Sequence, residues 1–123
     1  MIFCNTLLNI QDNSGAKGGL CIKIKKNSNC KKAKLNDIIK VTIKKLSKHN
    51  KNVTKGSLFF AYITQIKKKT LKQTGINVKF DFNSIILLNN TLQPIGTRIL
   101  GPISIKNRTN KNFKIISLSS FIL

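Results

Sequence analysis

Apolar residues recur at every second position in one short stretch of this chain after another, and that period leaves few folds open to it. Between residues 20 and 25, Leu20, Ile22 and Ile24 alternate with Cys21, Lys23 and Lys25, and between 37 and 45, Ile39, Val41 and Ile43 alternate with Lys40, Thr42 and Lys44. Leu58, Phe60, Tyr62 and Thr64 alternate with Phe59, Ala61 and Ile63; Ile76, Val78, Phe80 and Phe82 alternate with Asn77, Lys79 and Asp81. Successive side chains of a strand point to opposite faces, so each stretch reads as a strand, the first with Leu20, Ile22 and Ile24 buried and a largely basic opposite face. Residues 85–88 form a continuous apolar run, as expected of a strand covered on both sides.

Reversals are supplied between these runs by Asp12-Asn13-Ser14-Gly15, Asn27-Ser28-Asn29, Thr54-Lys55-Gly56, Thr74-Gly75 and Asn89-Asn90, whose side chains and glycines suit turns. Five or more short strands at this spacing predict a mainly β fold, a small barrel whose closure removes exposed edges. With 123 residues, 41% of them hydrophobic, the chain is long enough for one cored domain over 1–123 and too short for two. From Pro102 onward Phe113, Ile116 and Ser120 fall at helical spacing, which predicts short C-terminal helical turns. The seven phenylalanines and Tyr62 sit mostly at core-facing or run-embedded positions, which reads as packing and not as platforms for stacked bases.

Charge narrows the function. Lysine and arginine number 23 against three acidic residues, all aspartates, for a net charge of +20. Such a surplus cannot be neutralised internally, and the folded chain repels itself unless a polyanion supplies counter-charge, which points to nucleic acid. Because 21 of the 23 are lysines, point charges on flexible stems, the field suits phosphate tracking more than bidentate reading of base edges. Structured RNA recognised by backbone and shape is therefore expected over splayed bases. The candidate contacts cluster: Lys23, Lys25 and Lys26; Lys31, Lys32 and Lys34; Lys44, Lys45, Lys48 and Lys51; Lys67, Lys68, Lys69 and Lys72; and Lys106, Arg108, Lys111 and Lys114. If about six to ten of these meet phosphates, affinity falls by roughly 10³ to 10⁵ between low and moderate salt.

Material for catalysis is thin. The single histidine, His49, lies in the polar stretch Lys48-His49-Asn50-Lys51, which reads as a loop tip. Asp12 opens a turn in which its carboxylate can accept from amides two residues on, and Asp37 and Asp81 flank strands with no carboxylate partner nearby in sequence. Cys4, Cys21 and Cys30 form an odd set without metal-ligand spacing, so free thiols are expected, with no metal and no cofactor. No apolar run approaches the roughly 20 residues of a membrane span, and the first 16 residues carry no secretory pattern, so no membrane partner and no export are expected. The sequons at Asn52, Asn89 and Asn107 then carry no weight. The richness in lysine, asparagine and isoleucine and the absence of glutamate fit drift under an AT-rich genome, such as that of an organelle or a reduced endosymbiont. No arginine-rich presequence is present, so an organellar product would be made inside the organelle or already processed.

Longer motifs carry a family likeness. Residues 8–17 (LNIQDNSGAK), 37–44 (DIIKVTIK), 80–90 (FDFNSIILLNN), 93–103 (QPIGTRILGPI) and 114–118 (KIISL), in this order and over this length, resemble the universal family of large-subunit ribosomal protein fourteen, bacterial and organellar type. The resemblance spans residues 1–123 and implies a five-stranded β-barrel with a projecting β-ribbon and short C-terminal helices. It implies a structural, non-enzymatic role: binding large-subunit rRNA, packing against neighbouring large-subunit ribosomal proteins, and touching small-subunit rRNA across the subunit interface. It also implies a surface on which a ribosome-silencing factor can dock.

By this resemblance the 13–17 turn, with Asn13, Ser14 and Lys17, and the 96–98 segment, with Thr97 and Arg98, are the leading candidates for RNA contact. Both could equally serve only to shape the barrel. Gly15 and Gly96 suit either role, since glycine permits backbone conformations and close approaches that a side chain would block. The chain departs from the family pattern at Lys17-Gly18-Gly19, at Asn36, where glycine is usual, at Gln65-Ile66, and between Ser104 and Asn112. An organellar ribosome, mitochondrial or else plastid, is the expected setting, with a general nucleic-acid-binding or compaction protein as the alternative.

Overall fold

The structure, a computed structural model, describes residues 1–25, 31–47, 52–104 and 113–123. Along the chain run β1 (Leu7–Ile10), β2 (Ala16–Ile24), β3 (Ile38–Leu46), β4 (Leu58–Gln65), β5 (Thr70–Leu71), β6 (Asn77–Val78), β7 (Ser84–Leu88), β8 (Ile99–Ile103), α1 (Phe113–Leu118) and β9 (Ser119–Ile122). Strands β1, β2, β3, β4 and β7 close a barrel in that order. Its neighbours are antiparallel except at the seam, where β1 meets β7 in parallel through Asn9 opposite Ser84 and Ile10 opposite Ile85. Strands β5 and β6 form a two-stranded ribbon between β4 and β7, and β8 pairs in parallel with β9.

The alternation of β3 works as its sequence implies: Ile39, Val41 and Ile43 are fully buried while Lys40, Thr42 and Lys44 face outward. They join Leu8, Cys21, Ile24, Ala61, Ile63, Ile85 and Leu87 in the barrel core. Each such aliphatic side chain contributes about 1.5–3 kcal/mol by leaving water. The apolar run of β7 is buried at all five positions, because Ile86 and Leu88 leave the barrel on its outer side. There, with Tyr62, they pack against Ile99, Ile103 and Ile115 in a second cluster. The C-terminal unit thus lies over the outside of β4 and β7. Burial pushes the Tyr62 hydroxyl pKa far up, so it stays protonated.

Four expectations are corrected. First, the buried face of β2 is not Leu20, Ile22 and Ile24: Cys21 is buried, Leu20 is half-buried and Ile22 is 43% exposed. A register shift between Cys21 and Lys23 is the cause. The extra residue of a bulge puts Ile22 and Lys23 both outside and restores Ile24 to the core. Second, the stretch from Ile76 to Phe82 is not a barrel strand. The turn at Thr74-Gly75 closes a hairpin that pairs Leu71 with Asn77 and Thr70 with Val78, and Ile76 and Phe82 are exposed. The fifth barrel place belongs to β1, whose four residues are too few to declare a period.

Third, the aromatic packing role holds for Tyr62, buried in the second cluster, and for Phe59 and Phe60, which pack against the two clusters, but not for most of the phenylalanines. Phe3, Phe82, Phe113 and Phe121 are exposed, and Phe59, Phe60 and Phe80 are half-buried. The interior of a five-stranded barrel is narrow, and branched aliphatics fill it. Fourth, α1 buries Ile115 and packs Leu118, one position out of phase with the expected Phe113 and Ile116, and Ser120 belongs to β9. The Asn27-Ser28-Asn29 turn, His49 and Cys30 lie outside the described residues.

Candidate nucleic-acid interface

The 12–15 turn is built from its own side chains. Asp12 Oδ1 accepts from the Ser14 amide at 3.1 Å and from the Ser14 hydroxyl, and Asp12 Oδ2 accepts from the Leu87 amide at 2.9 Å. Gly15, at φ 94°, takes the left-handed step that completes the reversal. Its carbonyl accepts from the Ser47 amide at 2.8 Å, which ties the turn to the end of β3. Asp12 and Ser14 are buried beneath the turn. Burial raises the Asp12 pKa, and the hydrogen bonds from Ser14 and Leu87 oppose that rise.

Against this turn lies the 96–98 segment. Asn13 Oδ1 accepts from the amides of Thr97 at 2.8 Å and Arg98 at 3.2 Å, Asn13 Nδ2 donates to Thr97 Oγ1 at 2.8 Å, and the Asn13 amide donates to the Arg98 carbonyl at 3.2 Å. One asparagine therefore pins a segment 84 residues away, leaving the Thr97 and Arg98 side chains on the exposed side. The two motifs that the sequence marks separately are one structure. Within it Asn13, Ser14 and the Thr97 hydroxyl engage their polar atoms in the frame, and Lys17 and Arg98 are exposed.

Beside the turn, the irregular pairing of β2 with β3 sets Ala16 opposite Leu46, Gly18 opposite Lys45 and Gly19 opposite Ile43. Register steps flank Gly18, so Lys17, Lys44 and Lys45 are all exposed at this end of the barrel, alongside Asn13 and Arg98. A second group lies farther along the same outer wall. Lys23 pairs with Lys40, Lys40 with Phe60, and Phe60 with Leu88, so the four form one row across the outside. Lys25 joins it, its Nζ 4.6 Å from the centre of the Phe60 ring. Sequence reasoning left Lys40 out of the site; only strand register reveals that it shares a row with Lys23. The wall of β2 and β3 is basic where that of β4 and β7 is covered.

Lys67, Lys68 and Lys69 stand apart, at the opposite end of the barrel. The Lys67 amide donates to Asn83 Oδ1 at 2.9 Å just before β7 begins, and the run leads into the ribbon. Lys48, Lys51, Arg108 and Lys111 lie outside the described residues. Little negative charge offsets the lysines: Asp12 is buried, Asp37 accepts from the Lys34 amide at 2.7 Å, and Asp81 is exposed. Cys4 and Cys21 are free thiols; burial, with a smaller effect of Cys4, pushes the Cys21 pKa up to about 11. Among the described residues no three histidine, cysteine, aspartate or glutamate side chains gather where they could hold a metal.

The arrangement suits a large polyanion: a curved wall and one rim of exposed cations on a rigid barrel, with an uncharged clamp fixing the one described arginine. A family model described as ribosomal protein L14p/L23e matches residues 1–123, the whole chain.

Proposed function

The chain belongs to the ribosomal protein L14p/L23e family, structural and non-enzymatic constituents of the large ribosomal subunit, and on that premise we propose that it binds large-subunit rRNA through the outer wall of β2 and β3 and the rim around Asn13. The observation that carries this reading is the distribution of charge on the barrel wall. Lys17, Lys23, Lys25, Lys40, Lys44 and Lys45 belong to β2, β3 and their ends, the wall that the C-terminal unit leaves open, and Arg98 is exposed at the adjoining rim. Lysines on a rigid sheet meet phosphates as point charges and fix position on a folded RNA without reading its bases. Lys67, Lys68 and Lys69 make a separate contact at the ribbon end.

The setting we infer is an organellar ribosome, mitochondrial in the first instance, from the lysine, asparagine and isoleucine bias of the composition. Neighbouring large-subunit proteins are expected against the exposed Phe113, Phe121 and Leu100 of the C-terminal unit, and small-subunit rRNA at the subunit interface. A ribosome-silencing factor is a further partner that the family reading allows. Sucrose-gradient sedimentation of organelle lysate tests the assignment. Co-migration with the large subunit is expected, and a free pool absent from ribosomal fractions would reject it.

A further inference from the structure

Between the 34–37 turn and the β5 arm of the ribbon lies an open groove of about 580 Å³, whose rim includes Lys68 and Lys69 of the ribbon-end contact. Its lining divides by chemistry. Leu35 and Leu71 give it an apolar wall, and Leu71, 70% exposed, is a large aliphatic side chain presented to solvent. Lys34, Lys68, Lys69 and Lys72 rim it with positive charge. Asp37 is the one carboxylate on the lining, and its Oδ2 accepts from the Lys34 amide at 2.7 Å, which commits it to closing the turn. A small apolar wall bounded by four cations suits a ligand that is flat and apolar at one end and anionic at the other.

We propose that this groove receives one unstacked nucleotide of the RNA partner, its phosphate among Lys68, Lys69 and Lys72 and its base against Leu35 and Leu71. The proposal rests on the RNA-binding reading and adds to it a site for a base, where the barrel wall engages only backbone. Volume supports it, since clefts of about 300–1,000 Å³ are the usual size for small organic ligands. An acidic peptide meets the same charge but not the same geometry. Peptides dock on sheets by extending a strand, and β5 offers a two-residue edge, too short to template one.

The test uses the full chain with ¹³C-labelled leucine methyl groups, titrated separately with adenosine 5′-monophosphate, ribose 5-phosphate and hexaglutamate. Adenosine 5′-monophosphate should shift the Leu35 and Leu71 methyl signals and bind about five- to tenfold more tightly than ribose 5-phosphate, the contribution of burying a base on aliphatic surface. Leu71→Ser, at an exposed position that leaves the fold intact, should abolish that difference without weakening ribose 5-phosphate. Equal binding of the two phosphates, unmoved leucine methyls, or a stronger response to hexaglutamate would overturn the proposal. Binding of a large-subunit rRNA fragment is measured alongside. If the wild type retains it while the groove stays silent, the groove proposal alone fails; if the wild type lacks it, the functional reading fails first.

Discussion

Gly96 packs so closely on Asp12 that a β-carbon at position 96 would lie 2.8 Å from Asp12 Cβ and 2.9 Å from Asn13 Oδ1. That contact joins the two motifs into one rim, and the neighbours that would have to move are the short, fully engaged side chains that hold the turn. Gly96→Ala should therefore destabilise the fold by about 1–3 kcal/mol, the range for overpacking a tight site. Urea denaturation measures it, and a cost within error of zero would mean that the two segments separate freely.

Asn13 and Arg98 should fail in different ways. Asn13→Ala removes the hydrogen bonds to the amides of Thr97 and Arg98 and to Thr97 Oγ1, for a stability loss of about 1–2 kcal/mol, yet removes no charge. Its RNA affinity should drop while the slope of log K against log salt stays as in the wild type. Arg98→Ala should leave stability nearly unchanged and reduce that slope by about one unit, as expected on losing one phosphate contact. Filter binding across a salt series separates the two.

Acid titration reports on Asp12. Its pKa in the folded chain is raised, chiefly by burial, so the folded state holds the proton more tightly than the unfolded state does. The stability this group contributes is then fully present below the unfolded value of about 3.9 and is lost as pH rises through the folded value. Relative to Asp12→Asn, which does not titrate, the wild type should lose stability as pH climbs from about 3.5 towards neutrality. Urea denaturation of both proteins over that range checks the sign, and a difference growing in favour of the wild type would contradict it.

Asn36 occupies a left-handed backbone position, φ 69°, immediately before Asp37. Such a position favours glycine, and asparagine is among the side chains that tolerate the conformation best. Asn36→Gly should be neutral to mildly stabilising, by at most about 1 kcal/mol, whereas Asn36→Val should cost about 1–2 kcal/mol or more. Thermal melts of the two variants measure the contrast.

The alternation of β3 and the apolar run of β7 were legible because no bulge interrupts their core-facing positions: Ile39, Val41 and Ile43 point inward and the run at Ile85 is covered on both faces. What escaped depends on contacts distant in sequence. The bulge after Cys21 inverts a face without changing composition, β1 is too short to show a period, and the seam of β1 against β7 joins residues some 75 apart. Likewise the family motifs marked residues 13–17 and 96–98, but only the fold shows that Asn13 holds Thr97 and that Lys40 stands in a row with Lys23. At Gln65 the side chain accepts from the Ser84 hydroxyl at 2.9 Å and donates to the Pro102 carbonyl at 2.7 Å, fastening β8 to the barrel. Residue type alone does not announce that role.

The salt dependence of binding to a folded large-subunit rRNA fragment, with duplex DNA of equal length in parallel, tests the electrostatic wall most directly. With about six to ten phosphates engaged, log K should fall against log salt with a slope of roughly −4 to −9, and charge-neutralising changes at Lys23, Lys40, Lys44 and Lys45 together should flatten it by about three to four units. The RNA should hold the advantage over DNA at every salt concentration. A slope near zero, or a slope unmoved by removing those four lysines, would show that the open face of β2 and β3 is not where the polyanion binds.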